Sequence, residues 1–324
     1  MYNKKPPFNI TTTILDEIAE ISELVGRIST SNLSANPMLR RSNRIRTIHS
    51  SLAIEQNTLS LEQVTAVLNG KKIIAPPKDI AEVKNAYEIY ESMDTIDPYS
   101  VDALLDAHAI MTKGLISESG CFRSRPVGVV DKNGNILHFG TLPAYVPGLV
   151  KELFDWVENS DFHMLIKSCV FHYEFELIHP FADGNGRMGR LWHTLLLSKW
   201  KPLFAWLPVE SIIHDRQDEY YYAINRSNSE AESTAFIEFM LSAIKEALIE
   251  AVETGNAENM SVEEQRWYQI SRFLKKHDTI GNADVRQLFG VSAATANRIL
   301  AKLTAEEKLE KIRMGKSWQY KLLD

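Results

Sequence analysis

Apolar residues recur along this chain at three- and four-residue spacing, and that periodicity predicts a mainly α protein. Ile14, Ile18, Ile21 and Val25 keep the helical period near the N-terminus, and Leu61 to Leu68 keep it again. The run KKIIAPP (71–77) breaks the pattern between helices. Leu165, Ile166, Cys169, Val170, Tyr173 and Leu177 predict a buried amphipathic helix. Pro180 should end it near Ile178, because the residue before a proline is pushed away from helical angles. Met188, Leu191, Trp192, Leu195 and Leu196 then resume the period. One stretch departs from it: VGVVDKNGNILHF (127–139) reads as two short strands around the turn DKNGN, a β-hairpin. The polar segment Glu253–Ser261 predicts a linker. Beyond it, Ile270, Phe273 and Leu274 mark one amphipathic helix, followed by a helix, a turn at Gly290, a helix, and a strand pair around Met314–Gly315.

At 324 residues and 44% hydrophobic, the chain can bury a core in two or three domains. No apolar run approaches a membrane span, and the opening MYNKKPPFN lacks an apolar signal core. With only Cys121 and Cys169, the expectation is a reducing cytoplasm and no disulfide framework. A net charge of −6 argues against a wholesale nucleic-acid coat, but the charge is uneven. Residues 263–324 carry 12 Lys/Arg against 8 Asp/Glu, a surplus of +4 that leaves the remainder at −10.

The chemistry concentrates in HPFADGNGRMGR, His179 to Arg190. The loop Phe181–Gly186 precedes a helix, where unpaired backbone N–H groups and the dipole favour an anion. Gly184 and Gly186 let the backbone approach that anion without Cβ interference. Arg187 and Arg190, three apart, share a helical face and can fork onto phosphate oxygens. Asp183, the one carboxylate of the loop, suits Mg²⁺, which takes few carboxylates and completes its shell with water and phosphate. His179 has the pKa to accept a proton near neutrality. Competing nucleotide signatures are absent: no GxxxxGK[ST], no GxGxxG after a strand, no kinase-like HRD. A zinc site is not expected, since His172 and His179 straddle a helix end and no HExxH occurs.

This run resembles the signature of the Fic (Fido) family, HPFxxGNGRxxR, at every specified position. The resemblance implies a Fic-type helical core that binds ATP and moves AMP onto a Tyr, Thr or Ser hydroxyl of a target protein. His179 would then deprotonate the hydroxyl, and Asp183 would hold Mg²⁺ on the α- and β-phosphates. Gly184, Asn185, Gly186 and Arg187 would cradle and clamp phosphates, with Met188 and Gly189 in the same nucleotide-binding run. Arg190 would position the γ-phosphate, and Phe181 would anchor the loop. The hairpin resembles the family's flap, which holds the target by strand pairing, and His138, Phe139, Gly140 and Thr141 match the part that borders the nucleotide. In EYYYAINRSN (219–228), Tyr220 and Asn228 match residues that line the adenine and ribose pocket; read without the resemblance, Tyr220 and Tyr221 are ordinary packing aromatics.

SSLAIEQN (50–57) resembles the family's inhibitory motif, [S/T]xxxE[G/N], through Ser51 and Glu55, but Gln56 stands where Gly or Asn is expected. Glu55 paired to Arg190 would occupy the guanidinium meant for the γ-phosphate. A buried ion pair of that kind is worth about 3 kcal/mol, on the order of a hundredfold in a population. The tail resembles a winged helix-turn-helix, with Ser292 as N-cap, Thr295, Asn297 and Arg298 on the exposed face, and a wing near Lys311–Lys316. Contact with DNA or with protein through this piece, and a homodimer, stay open. The expected organisation is an N-terminal helical region carrying the inhibitory motif (1–94), a catalytic core (95–252) and the winged helix (262–324). The expected function is a self-inhibited protein adenylyltransferase using ATP and Mg²⁺. Alternatives are a nucleotide-sensing DNA-binding regulator, or an enzyme of the same family that transfers another phosphate-containing group or removes AMP.

Overall fold

The computed structural model describes residues 6–29, 37–130, 136–258, 262–314 and 317–323. The chain divides into two compact units, one ending at Val252 and one beginning at Glu253. The first is built on helices α1 (Thr12–Ser29), α2 (Pro37–Ile54), α3 (Leu61–Leu68), α4 (Pro77–Glu91), α5 (Val101–Met111), α6 (Val146–Asn159), α7 (Met164–Ile178), α8 (Asn185–Trp200), α9 (Val209–Asp215), α10 (Gln217–Glu230) and the greater part of α11 (Thr234–Glu258). A two-stranded sheet, β1 (Gly128–Val130) and β2 (Ile136–Phe139), lies between α5 and α6 in the chain.

Local chemistry sets several helix starts. Ser60 accepts from the Gln63 amide while the Gln63 side chain reaches back to the Ser60 amide, a reciprocal cap on α3. The KKIIAPP break leads into α4 at Pro77, where a helix has no use for the missing N–H.

Helices α7 and α8 form the centre, and α7 is buried more completely than an amphipathic helix would be. Leu165, Cys169, Val170 and Tyr173 pack into one cluster with Ile14 and Ile21 of α1 and Phe236 and Ile244 of α11. Phe171, Phe175 and Ile178 pack into a second with Ile48 and Leu52 of α2, Val83 of α4 and Leu104 of α5. A helix held between two cores has no solvated side, so its polar residues Ser168, His172 and Glu174 are buried with it. The N-terminal segment closes the first core from a distance. Ser233 donates its amide to the Pro7 carbonyl at 2.9 Å, and Asn9 donates its amide to Thr234 Oγ1 at 2.9 Å.

The hairpin is antiparallel, with Gly128 opposite Phe139, Val129 opposite His138 and a bulge before Val130. Its DKNGN turn (131–135) and the side chains of His138 and Phe139 lie outside the described residues. The polar stretch expected to be a linker from Glu253 is instead helical through Glu258. Once a packed helix exists, each added residue gains a hydrogen bond without a new nucleus. Residues 259–261 lie outside the described residues.

The second unit runs α12 (Val262–Lys276), α13 (Asn282–Phe289), α14 (Ala293–Ala305), β3 (Leu309–Met314) and β4 (Ser317–Leu322). Gly290 ends α13 in the left-handed region, and Ser292 caps α14 by accepting from the Thr295 amide at 3.3 Å. Strands β3 and β4 pair antiparallel from Leu309 opposite Leu322 to Met314 opposite Ser317; the tip, 315–316, lies outside the described residues. Ile280 exchanges both backbone bonds with Tyr320, and Ile270, Val285, Leu300 and Leu309 fill the core between. Asn297 does not stand alone on the exposed face of α14, because its Oδ1 accepts from Asn282 Nδ2 at 2.7 Å. Among the described residues, no helix is long and apolar enough to cross a membrane. Cys121 and Cys169 are both free thiols.

Trp192 of α8 is fully buried and donates Nε1–H to the Pro98 carbonyl at 3.0 Å. Trp192→Phe leaves that carbonyl without its donor beside a new void, a loss of about 2 kcal/mol. The denaturant midpoint should fall with an unchanged slope.

Candidate active site

The chain reverses between α7 and α8, and the reversal carries the chemistry. His179 follows the last residue of α7 in a left-handed conformation, φ 53° and ψ 63°. Its amide still donates to the Phe175 carbonyl at 2.9 Å. A histidine is rarely held there, and the buried Arg123 braces it. Arg123 Nε donates to the His179 carbonyl at 2.7 Å, its backbone amide to Pro180 O at 3.0 Å, and Nη2 to Thr141 O. The same guanidinium therefore ties the exit of the hairpin to the backbone of the candidate base. Gly140 fits between them: a Cβ there would stand 2.9 Å from Arg123 Nη2 and 3.3 Å from the His179 Cβ.

The loop is closed from within. Asn185 Oδ1 accepts from the Phe181 amide at 2.8 Å, and its Nδ2 donates to the Phe181 carbonyl at 2.9 Å. Phe181 is fully buried and stacked on His108, with ring centroids 3.6 Å apart. The Gly120 amide donates to His108 Nδ1 at 3.0 Å. The ring proton therefore sits on Nε2 and is given to the Asp183 carbonyl at 3.0 Å. Burial pulls the His108 pKa down, against the smaller upward pull of its bond to the Asp183 carbonyl, and this favours the neutral ring. Gly184, at φ 87°, caps α8, so the helix's first N–H groups face the loop. The Asn185 side chain is thus used to hold the loop, and its backbone begins α8. Met188 packs in the core behind the loop. Gly189 lets α8 lie close to α7, where a Cβ would meet His172 Cδ2 at 3.1 Å and Glu176 Oε1 at 3.2 Å.

The Asp183 carboxylate is half-exposed and accepts from the Gly184 amide at 2.6 Å and from Arg187 Nη2 at 3.1 Å, both through Oδ1. Among the described residues no group of three or more His, Cys, Asp or Glu could hold a metal ion. A single half-exposed carboxylate beside a helix N-terminus nevertheless fits Mg²⁺, which keeps waters and substrate phosphates in its shell.

Arg190 is buried, and the segment expected to be inhibitory surrounds it. Its Nε donates to Ser51 Oγ at 3.1 Å, and its Nη2 donates to Ser51 O at 2.9 Å and to Glu55 Oε1 at 2.8 Å. A Cβ at Gly186 would collide with the Glu55 carboxylate, so that carboxylate lies on the first turn of α8, where the cradle would receive an anion. The Glu55 side chain is 39% exposed against 1% for Arg190, which places the pair below the strength of a fully buried one. Gln56 follows at φ 68°. That is the conformation for which Gly or Asn is suited, and a longer side chain is strained in it.

Tyr220 is buried and gives its hydroxyl to a hydrogen bond with His172 Nε2 at 3.1 Å, so it supports the site from beneath. Asn228 Oδ1 accepts from the Tyr173 hydroxyl at 2.9 Å. Tyr221, next to Tyr220, is the exposed member of that tyrosine pair.

Residues that no motif flagged complete the site. Besides Arg123 and His108, Glu176 lies one turn before His179, with its Oε2 3.8 Å from His179 Nδ1. Its Oε1 is buried with no hydrogen-bond partner among the described residues. Burial first, then the neighbouring Glu55, push its pKa up to about 8 against the pull of Arg190. Only an acidic residue spaced three before the histidine hints at it in sequence.

A family model described as Fic/DOC matches residues 98–197. A solved Fic family protein from Desulfovibrio desulfuricans G20 is 42% identical, covers 98% of this chain and 98% of its own, and superposes with a TM-score of 0.76. The chain belongs to the Fic family. Among its Fic relatives, a protein adenylyltransferase of Caenorhabditis elegans is 29% identical over 196 residues, which is 56% of this chain and 36% of the relative. One from Nematostella vectensis is 27% identical over 205 residues, 60% of this chain and 45% of the relative. The chain thus spans less than half the length of these two curated relatives.

Two outcomes follow from strained and buried groups. The folded protein holds the Glu176 proton to about pH 8, whereas the unfolded chain releases it near pH 4.5. Stability should therefore fall as pH rises between these values. Glu176→Gln removes that dependence, so wild type should lose about 3 kcal/mol more than the variant between pH 5 and 8 in urea unfolding. Gln56→Gly should relieve the left-handed strain and raise stability by about 0.5–1 kcal/mol, read as a higher melting temperature.

Proposed function

We propose that this chain is a protein adenylyltransferase that moves AMP from ATP to a Tyr, Thr or Ser hydroxyl of a target protein, and that Glu55 restrains it. The observation that carries this is the convergence, within one chain reversal, of His179, the half-exposed Asp183, the N-terminus of α8 and the clamps Arg187 and Arg190. Membership of the Fic family and the names of its curated relatives support the same activity.

In this mechanism His179 takes the proton as the target oxygen bonds to the α-phosphorus. The bond between the α-phosphorus and the bridging oxygen breaks, and pyrophosphate leaves in line. The amides at the start of α8, with Arg187 and Arg190, stabilise the charge that moves onto the leaving group. Asp183 would hold Mg²⁺, which supplies further neutralisation of the phosphates. The backbone of Gly140 and Thr141, braced by Arg123, would set the target segment beside His179.

Glu55 opposes this order in two ways. It occupies Arg190, and its negative charge lies on the glycine turn where phosphate would bind. A nucleotide-sensing regulator with no transfer chemistry is a weaker alternative, since a sensor needs no base at position 179.

The test incubates wild type, Glu55→Gly and Glu55→Gly/His179→Ala with Mg²⁺ and α-labelled ATP. Label and an intact-mass gain of one AMP are followed on the protein and on a host lysate. Glu55→Gly should label on the order of tenfold or more above wild type, the discount from a hundredfold reflecting the exposure of Glu55. The double variant should fall to background. Absence of label from all three, with ATP still bound, would favour a sensor or another donor.

A further inference from the structure

We propose that Glu82 of α4 is a positioning residue for Arg187 and, through Asn57, the anchor of the turn that carries Glu55. One carboxylate would then join the inhibitory segment to the phosphate clamp. The proposal rests on the reading of the α7–α8 loop as a nucleotide-phosphate site.

Glu82 is buried, and its two oxygens face different partners. Oε1 stands 3.5 Å from Arg187 Nη1, with the exposed ammonium of Lys78 farther off at 3.8 Å. Oε2 accepts from Asn57 Nδ2 at 2.8 Å. Arg187 is buried as deeply, and its other ionic contact is Asp183 at 3.1 Å. Among the described residues its Nε and Nη1 make no hydrogen bond. Two carboxylates therefore balance this guanidinium, Asp183 at the half-exposed loop and Glu82 in the protein. When substrate phosphates and a metal compete for Asp183, Glu82 is the charge that stays in place and keeps the fork of Arg187 aimed at the loop.

The other oxygen reaches the inhibitory turn. After α2 ends at Ile54, the amides of Glu55 and Asn57 both donate to Leu52 O, at 3.0 and 3.1 Å, with Gln56 in its left-handed conformation between them. A turn with a strained glutamine needs an external tie, and α4 supplies it. Asn57 Nδ2 also donates to Asp79 O at 3.2 Å, and Thr58 donates both its amide and its hydroxyl to Asp79 Oδ2, at 3.1 and 2.5 Å. Helix α4 precedes residue 98, where the family-model match begins.

Substitution separates the two limbs. Glu82→Gln keeps an oxygen for Asn57 but removes the charge opposite Arg187. Asn57→Ala keeps Glu82 on Arg187 but releases the turn. Binding of Mg²⁺–ATP is measured by calorimetry on the full chain, and transfer kinetics are measured alongside. In the Glu55→Gly background, Glu82→Gln should weaken binding about tenfold and raise KM for ATP to match, with a further fall in kcat because Arg187 also stabilises the leaving group, and with the melting temperature held. Asn57→Ala alone should bind three- to tenfold more tightly than wild type, and should add nothing once Glu55 is glycine. Unchanged affinity in Glu82→Gln, or an Asn57→Ala effect that persists without Glu55, would overturn the proposal. So would a joint fall of kcat, affinity and melting temperature, which marks structural damage alone. Failure of Mg²⁺–ATP to bind either wild type or Glu55→Gly would remove the nucleotide site itself, an outcome distinct from the loss of either limb.

Discussion

A guanidinium as deeply buried as that of Arg190 stays charged only if it is surrounded by acceptors and a counter-charge. Here the surroundings come from a distant segment: Ser51 offers its hydroxyl and its carbonyl, and Glu55 its carboxylate. That requirement fixes how α2 lies against α8, and with it where the Glu55 turn meets the glycine loop. Any occupant of the loop that also needs Arg190 must displace an interaction on which the burial of this charge depends. The proposed inhibition and the burial of this charge thus rest on one contact.

The loop itself is rigid for reasons separate from any ligand. Asn185 bonds both the amide and the carbonyl of Phe181, Phe181 stacks on a neutral His108, and His108 holds the carbonyl of Asp183. Each link satisfies a buried polar group as it fixes the backbone. The helix N-terminus beyond it is therefore shaped in advance of any ligand. Arg123 extends the same network to Thr141, which makes the hairpin's base part of the site's frame.

Beneath the loop, His172 and Tyr220 are buried and bonded to each other, and Glu176, part-buried beside them, has an Oε1 with no hydrogen-bond partner among the described residues. Such a cluster lowers stability, and sites of this kind concentrate where function requires shifted groups. Gln56 is a second local departure, a left-handed residue without the glycine that position suits. Both lie within reach of Glu55, in sequence for Gln56 and electrostatically for Glu176.

The helices and the chemistry of HPFADGNGRMGR were legible in sequence because both depend on neighbours in the chain. Period and breaker placed α1, α3 and α7, and one contiguous run carried a histidine, a carboxylate, glycines and arginines in a recognisable order. The amphipathic reading of α7 fell short because periodicity reports one face, whereas here two cores close on the helix. The linker from Glu253 became helix because the packed segment before it propagates. The pairing of Glu55 with Arg190 spans 135 positions, and family resemblance, not spacing, anticipated it. Glu82, Arg123 and His108 carry no motif at all; only packing brings them to the loop. What the chain determined by itself was the menu of chemical groups and local shapes, since these follow from short-range sterics and hydrogen bonding. Which carboxylate meets which arginine, and which tyrosine is buried, was decided only when the helices closed, because burial and charge balance are properties of the whole packed core.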